Sequence, residues 1–445
     1  MHVSFGTDGV RGVANRQVTS ELALALGRAS VRVFGATRVY VGRDTRRSGP
    51  MLEAAVLAGI CAEGAEAVPL GVVPTPAVAH AARPDAVAGV MISASHNPFG
   101  DNGLKIFAPG GRKLTDAEQH RVEDVLDELL DGTPHAGPVD DATGVVGAHP
   151  EAVEAYEASV VAALEGRTLE GLRLVVDCAN GSNTVIGPDV LRRLGAEVHA
   201  IAVAPDGVNI NHECGSTHPA ALQAAVVQQG ADGGIAFDGD ADRVLAVDHT
   251  GRLVDGDQLI AMCATDLRDR GHLHDDTVVV TVMSNLGFRH AMAAAGIRVL
   301  DTAVGDRYVL EALDGGGHSL GGEQSGHLIF RDLSTTGDGL LSAAMVLDLV
   351  CRSGRTLADL AEHSMTRLPQ VLVNVEVARP MPDVADRLAG PIAAVEAELG
   401  DSGRVLLRPS GTEPVVRVMA EAATEAAARA VAERLAADVE ALAAV

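Results

Sequence analysis

The chain has 445 residues, 47% hydrophobic and 2% aromatic with no tryptophan, and its 60 acidic against 35 basic side chains leave a formal charge of −25. These values exclude wholesale disorder, a basic nucleic-acid-coating surface and an aromatic base-stacking platform. At roughly 100–200 residues per domain, the length predicts two to four domains.

The opening Met1-His2-Val3-Ser4-Phe5-Gly6 has neither a basic n-region nor an apolar h-region, so no signal peptide is expected. Val39-Tyr40-Val41 reads as a short strand, followed by the polar loop Arg43-Asp44-Thr45-Arg46-Arg47. Ser48-Gly49-Pro50 opens a helix, with Pro near its first position and Gly64 near its end. Val87 to Ile92 is a buried-strand candidate that delivers the chain into Ser93-Ala94-Ser95-His96-Asn97-Pro98. Residues 131–150, rich in Gly, Pro, Asp and His, mark a linker, and a helix follows from Pro150 to Leu164. The strand Leu172 to Val176 ends in Asp177-Cys178-Ala179-Asn180-Gly181. Gly234 to Phe237 runs into Asp238-Gly239-Asp240-Ala241-Asp242-Arg243, and Val244 to Val247 is a hairpin-like return. Another α/β unit starts near Thr277-Val278-Val279-Val280. Beyond it, Val371 to Val377 alternates as a strand does, and Val405 to Leu407 and Val415 to Met419 are further strands. Val431, Leu435, Val439 and Leu442 sit at helical spacing in an amphipathic closing helix.

The expected fold is therefore α/β: three consecutive mixed-sheet α/β domains, at 1–147, 148–248 and 249–367, and a smaller C-terminal α+β domain at 368–445. The five cysteines are scattered and form no C-x-x-C pair, against a zinc ribbon or disulfide framework and in keeping with a reduced cytosol. Apolar runs are far too short for a membrane span, so the expected location is cytoplasmic.

Asp238, Asp240 and Asp242 alternate, so an extended backbone points them to one side, where a divalent cation relieves their repulsion. Oxygen-only ligands suit Mg²⁺; the plainer reading is a solvated acidic turn. An aspartyl-phosphate phosphatase with Asp238 as nucleophile also fits, but leaves Ser95 unexplained. Ser95 alone reads as a turn serine; phosphorylated, it gives such a cation a fourth oxygen ligand. Arg408-Pro409-Ser410-Gly411-Thr412-Glu413-Pro414 reads as a phosphate cradle or an ordinary turn, with Arg417 nearby on a strand. In Gly322-Glu323-Gln324-Ser325-Gly326-His327, Glu323 and Ser325 can read vicinal hydroxyls and His327 can move a proton, although a lone loop histidine is more often structural. The only lysines are Lys105 and Lys113.

Together, Phe5-Gly6-Thr7-Asp8-Gly9-Val10-Arg11-Gly12, Ser93 to Pro98, Asp238 to Arg243, Gly322 to His327 and Arg408 to Pro414 resemble the α-D-phosphohexomutase superfamily, in order and across nearly the whole chain. The opening motif, Glu323 to His327, and Asn209-Ile210-Asn211-His212-Glu213-Cys214-Gly215-Ser216-Thr217 resemble its bacterial phosphoglucosamine mutase branch. Ala241 stands where many members have glycine. The resemblance implies four domains around a central cleft, with Ser95 as a phosphoserine and one Mg²⁺ per subunit on Asp238, Asp240, Asp242 and that serine. It implies Arg243, Arg11 and Lys105 near the reacting phosphoryl group, and Lys105 and His327 as proton-transfer candidates with His96 as second choice. Glu323 and Ser325 would read the sugar, and Arg408, Ser410, Gly411, Thr412 and Arg417 would hold the phosphate that does not react. The implied reaction converts D-glucosamine 6-phosphate to D-glucosamine 1-phosphate, towards UDP-N-acetylglucosamine and cell-wall synthesis, with a hexosamine or hexose 1,6-bisphosphate as primer.

A mutase that phosphorylates both ends of one sugar at one serine needs two anion sites, and a hinge before residue 368 is expected. The same groups suit a phosphomannomutase or phosphoglucomutase; a non-catalytic sugar-phosphate sensor or a phosphatase are further alternatives. No nucleic-acid or membrane partner is expected. A kinase or autophosphorylation would charge Ser95, in a monomer or homodimer.

Overall fold

Three times along the chain a parallel strand runs into a loop and returns antiparallel beside itself. Val87–Ile92 returns as Asp101–Phe107, Gly233–Phe237 as Val244–Asp248, and Leu320–Gly322 as Leu328–Phe330. This is the architecture of a computed structural model that describes residues 9–84, 86–132, 135–409 and 414–443. Each returning pair belongs to a separate mixed sheet covered by helices. The first sheet has the order Val10–Val13, Asp101–Phe107, Val87–Ile92, Arg38–Arg43, Glu66–Val72. The second runs Leu253–Val254, Val244–Asp248, Gly233–Phe237, Arg173–Asp177, Glu197–Ile201. The third runs Arg298–Thr302, Thr277–Thr281, Leu320–Gly322, Leu328–Phe330. A fourth, wholly antiparallel sheet sets Val415–Glu421 between Gln370–Glu376 and Arg404–Pro409.

The central strands are legible because helices cover both of their faces, so they read as unbroken apolar runs. Val87–Ile92, Gly233–Phe237 and Thr277–Thr281 are buried at every position. Where only one face is covered the pattern alternates, as in Gln370–Glu376 with Val371 and Val375 inside. The helix expected from Pro150 spans Glu151–Ala162, and the closing helix spans Glu425–Ala443 with Val431, Leu435 and Val439 buried. No helix among the described residues is long and apolar enough to cross a membrane.

The chain divides into two compact units, Met1–Met283 with Ile297–Glu362, and Ser284–Gly296 with His363–Val445. The second unit takes in the helix Leu286–Ala294 through one buried carboxylate. Glu421 accepts from Leu286 N at 2.9 Å, from Arg404 Nε at 2.6 Å and from Asn285 Nδ2 at 3.3 Å. Gln370 Nε2 also donates to Glu421 Oε1, at 2.8 Å, so this buried carboxylate is well supplied with hydrogen-bond donors.

Candidate active site

The strand Val87–Ile92 ends at Ile92, and three residues on the backbone enters the left-handed region at Ser95, φ +51°. Such a conformation in a non-glycine residue costs about 1–2 kcal/mol and persists where the surroundings over-determine it. Ser95 Oγ donates to Asp238 Oδ2 at 2.5 Å and lies 3.3 Å from His96 Nδ1. Arg243 Nη1 donates to the same Nδ1 at 3.2 Å, which leaves the ring proton on Nε2. Burial, reinforced by the Arg243 and Arg11 charges, lowers His96 to about 4, so the ring is neutral at physiological pH.

The carboxylates of Asp238, Asp240 and Asp242 are buried and offer ligand atoms within 4.8 Å of one another. Alternation on an extended strand is not how they converge. The segment is a turn, with Ala241 at φ +55°, so the glycine replacement that looks mild in sequence sits in the left-handed region. Burial and its two acidic neighbours push Asp238 well above the ordinary carboxylate range. Burial also pushes Asp242 up, but Lys105, His327 and Arg243 hold it well below that range. Lys105 Nζ is 2.8 Å from Asp240 Oδ2 and 3.4 Å from Asp242 Oδ2. Oδ1 of Asp240 and Oδ1 of Asp242 are buried and accept no hydrogen bond. Unsatisfied buried carboxylate oxygens beside a third carboxylate, with no nitrogen or sulfur ligand, fit a hard divalent cation such as Mg²⁺.

The third loop brings His327 to the same place, 2% exposed. Its Nδ1 is 3.8 Å from Asp242 Oδ1, its Nε2 is 3.4 Å from Asp306 Oδ2, and Nε2 also accepts from Gly337 N at 3.2 Å. A side chain at Gly337 would collide with this ring, its Cβ falling 2.3 Å from two ring atoms. Burial lowers His327, but Asp242 and Asp306 outweigh it and the net shift is upward. Glu323 Oε1 accepts from Gly305 N at 3.2 Å, and burial raises its carboxyl; Ser325 is exposed. Arg11 lies on the first strand opposite Gly103. Ser95, His96, Lys105, Arg11, the three aspartates, Arg243, Glu323 and His327 thus share the first unit.

In the second unit, Arg408 and Arg417 stand directly opposite one another across the sheet. Directly opposed residues project to the same face. Ser410, Gly411 and Thr412 lie outside the described residues.

Three contributors were given no role in the sequence. Thr75, 1% exposed, donates through Oγ1 to Asp240 Oδ2 at 2.7 Å and through N to Asp240 O at 2.9 Å. Asp306 steadies His327 and is itself paired with Lys113. The rarity of lysine was the one signal for Lys113; Thr75 and Asp306 carried none.

The descriptions "Phosphoglucomutase/phosphomannomutase, alpha/beta/alpha domain" I, II and III match residues 2–131, 152–251 and 255–368, and the C-terminal domain of that family matches residues 372–438. The chain is 56% identical over 451 residues to the phosphoglucosamine mutase of Frankia alni, covering 98% of each chain. It is 54% identical over 441 residues to the phosphoglucosamine mutase of Thermobifida fusca, covering 97% of each. Among solved structures, a phosphoglucomutase/phosphomannomutase family protein from Burkholderia thailandensis is similar with a TM-score of 0.81 at 25% identity, over 98% of this chain and 97% of that one. An Aspergillus fumigatus N-acetylphosphoglucosamine mutase, solved in complex with GlcNAc-6P and magnesium, shares the fold at a TM-score of 0.71 and 20% identity, over 100% and 96% of the two chains.

Proposed function

The chain belongs to the phosphoglucomutase/phosphomannomutase family, and from that premise we propose that it interconverts D-glucosamine 6-phosphate and D-glucosamine 1-phosphate as an intramolecular phosphotransferase. Full-length relatives of the amino-sugar branch support the substrate, and the 2.5 Å contact between Ser95 Oγ and Asp238 carries the mechanism. It sets a hydroxyl against a cluster of three buried carboxylates, an arrangement of little use to a turn serine.

Phosphoserine at position 95 is the donor. The Oγ–P bond breaks as the sugar's O1 bonds to phosphorus, and the O1 proton passes to His327, since Lys105 is engaged as the cation between Asp240 and Asp242; O6 takes that proton back when its own phosphoryl group leaves. The 1,6-bisphosphate then reorients while bound and returns its other phosphoryl group from O6 to Ser95. Asp238, Asp240, Asp242 and phosphoserine 95 would hold Mg²⁺, which would supply charge neutralisation to the transferring group. A phosphoester brings about two negative charges to a pocket already holding three carboxylates. Lys105, Arg243 and Arg11 supply the cations that a single divalent ion leaves owing. Neutral His96 accepts from Arg243 and so orients that guanidinium beside Ser95. Glu323 and Ser325 are the sugar-reading candidates, and Arg408 and Arg417, with Ser410, Gly411 and Thr412, are the candidates for the phosphate that does not react. A bisphosphate primer would charge the serine.

The test compares glucosamine, glucose and mannose 6-phosphates by kcat/KM, with Mg²⁺ and trace bisphosphate primer present and free phosphate monitored. A preference for the glucosamine ester is expected. A preference for glucose or mannose would overturn the substrate, and steady phosphate release would overturn the mutase reaction.

A further inference from the structure

Two stretches of the sequence take no part in the chemistry described so far: the polar loop Arg43 to Arg47 and the segment Asn209 to Thr217. Both close on the backbone that carries Ser95. Arg46 is 1% exposed. Its Nε pairs with Asp44 Oδ2 at 2.8 Å. Its Nη2 donates to Ser95 O at 2.9 Å and Asn97 O at 2.8 Å; its Nη1 donates to Asp101 O at 3.0 Å and to Pro98 O. All five donors of the planar guanidinium are thereby engaged, four of them on the segment from Ser95 to Asp101. Asp44 Oδ2 also accepts from Ser93 Oγ at 2.6 Å, and that hydroxyl accepts from Ser95 N at 2.9 Å.

From the second sheet's side, Asn211 Nδ2 donates to Ser95 O at 2.9 Å and Asn97 O at 3.1 Å. The metal loop is indexed to the same atoms. A Cβ at Gly239 would fall 2.6 Å from Ser95 O and 2.8 Å from Asn211 Nδ2, so only glycine lets Asp238 and Asp240 approach this closely. The carbonyl of Ser95 is thus the common point of a guanidinium, a carboxamide and the metal loop.

We infer that Arg46 and Asn211 are positioning residues for phosphoryl transfer: together they hold Ser95 in its left-handed conformation and fix its Oγ against the aspartate cluster. The inference rests on Ser95 being the phosphoryl carrier. Neither side chain enters the set assigned to substrate or metal, so their effect reaches the reaction only through the placement of Oγ. A misplacement of about 1 Å is worth about a hundredfold in rate. Lysine keeps the charge of Arg46 but offers three donors from one atom and cannot span four carbonyls.

The experiment compares R46K, N211A, the double variant and S95A in the full chain, with Mg²⁺ and primer, well below each variant's melting temperature. Expected is a fall in kcat of about a hundredfold for R46K and about tenfold for N211A, with KM within about threefold of wild type. The double variant should lose less than the product of the two, because both donors serve the same two carbonyls. If R46K does not fold, N211A decides alone. Unchanged kcat in the folded variants, or a loss carried entirely by KM, would overturn the inference while a dead S95A leaves the mutase reaction standing. Turnover by S95A would overturn that reaction, and the positioning role with it.

Discussion

Ala241 shows how a single methyl group acts at the residue scale. It is fully buried in the turn that gathers the three aspartates, at φ +55°, where an L-residue is strained by about 1–2 kcal/mol. Replacing alanine by glycine ordinarily destabilises, because the unfolded chain gains freedom. Here relief of strain opposes that loss. A241G is therefore expected to melt no lower than wild type, and up to a few degrees higher, in a thermal unfolding scan; a clear fall would mean that the methyl group packs usefully. Thr75, Asp306 and Arg46 act at the same scale through polar contacts, each supporting a group of the candidate site rather than joining it.

Among the elements, the helix Gly339–Ser353 carries a pH-sensitive cap. Its N-cap, Asp338, accepts from Leu341 N at 3.0 Å and from Tyr156 OH at 3.1 Å through Oδ1. Burial raises the carboxyl from 3.8 to about 6. A carboxyl that is harder to ionise when folded costs nothing below its unfolded value and costs progressively more as pH rises through 4 to 6. Asparagine keeps Oδ1 as acceptor for both donors. D338N should match wild type near pH 4 and exceed it above pH 6, by about 3 kcal/mol at most, as read from denaturant unfolding at the two pH values. What the sequence disclosed of such elements follows from range. Val87 to Ile92 was legible because burial on both faces writes a continuous apolar run, and the Asp238 to Asp242 cluster because its members are neighbours in the chain. Thr75 bonds to a residue 165 positions away and Asn211 to one 116 positions away. No periodicity encodes such pairs, so the supports of the site stayed invisible although most of its candidate residues did not. Alternation alone leaves an extended segment and a turn open at Asp238 to Asp242, and the left-handed Ala241 makes it a turn that still gathers the three carboxylates.

At the scale of the whole molecule, a chain of net charge −25 concentrates three carboxylates in one buried cluster and offsets them with Lys105 and Arg243. Repulsion in that cluster works against the folded state, and a bound divalent cation removes it. Mg²⁺ added to protein treated with a chelator should raise the melting temperature by several degrees at a hundredfold excess over its Kd, where linkage supplies about 2.7 kcal/mol; D240N should lose most of that increase. The contact between Ser95 and Asp238 spans 143 positions of the chain and joins the loops of two different sheets. Ribosomal synthesis at about 5–20 residues per second separates the emergence of the two partners by roughly 7–30 s. Through that interval a nascent first sheet already displays its serine, yet no carboxylate cluster stands opposite to assist transfer. The proposed transfer therefore lacks its carboxylate cluster until the second sheet has been translated and docked.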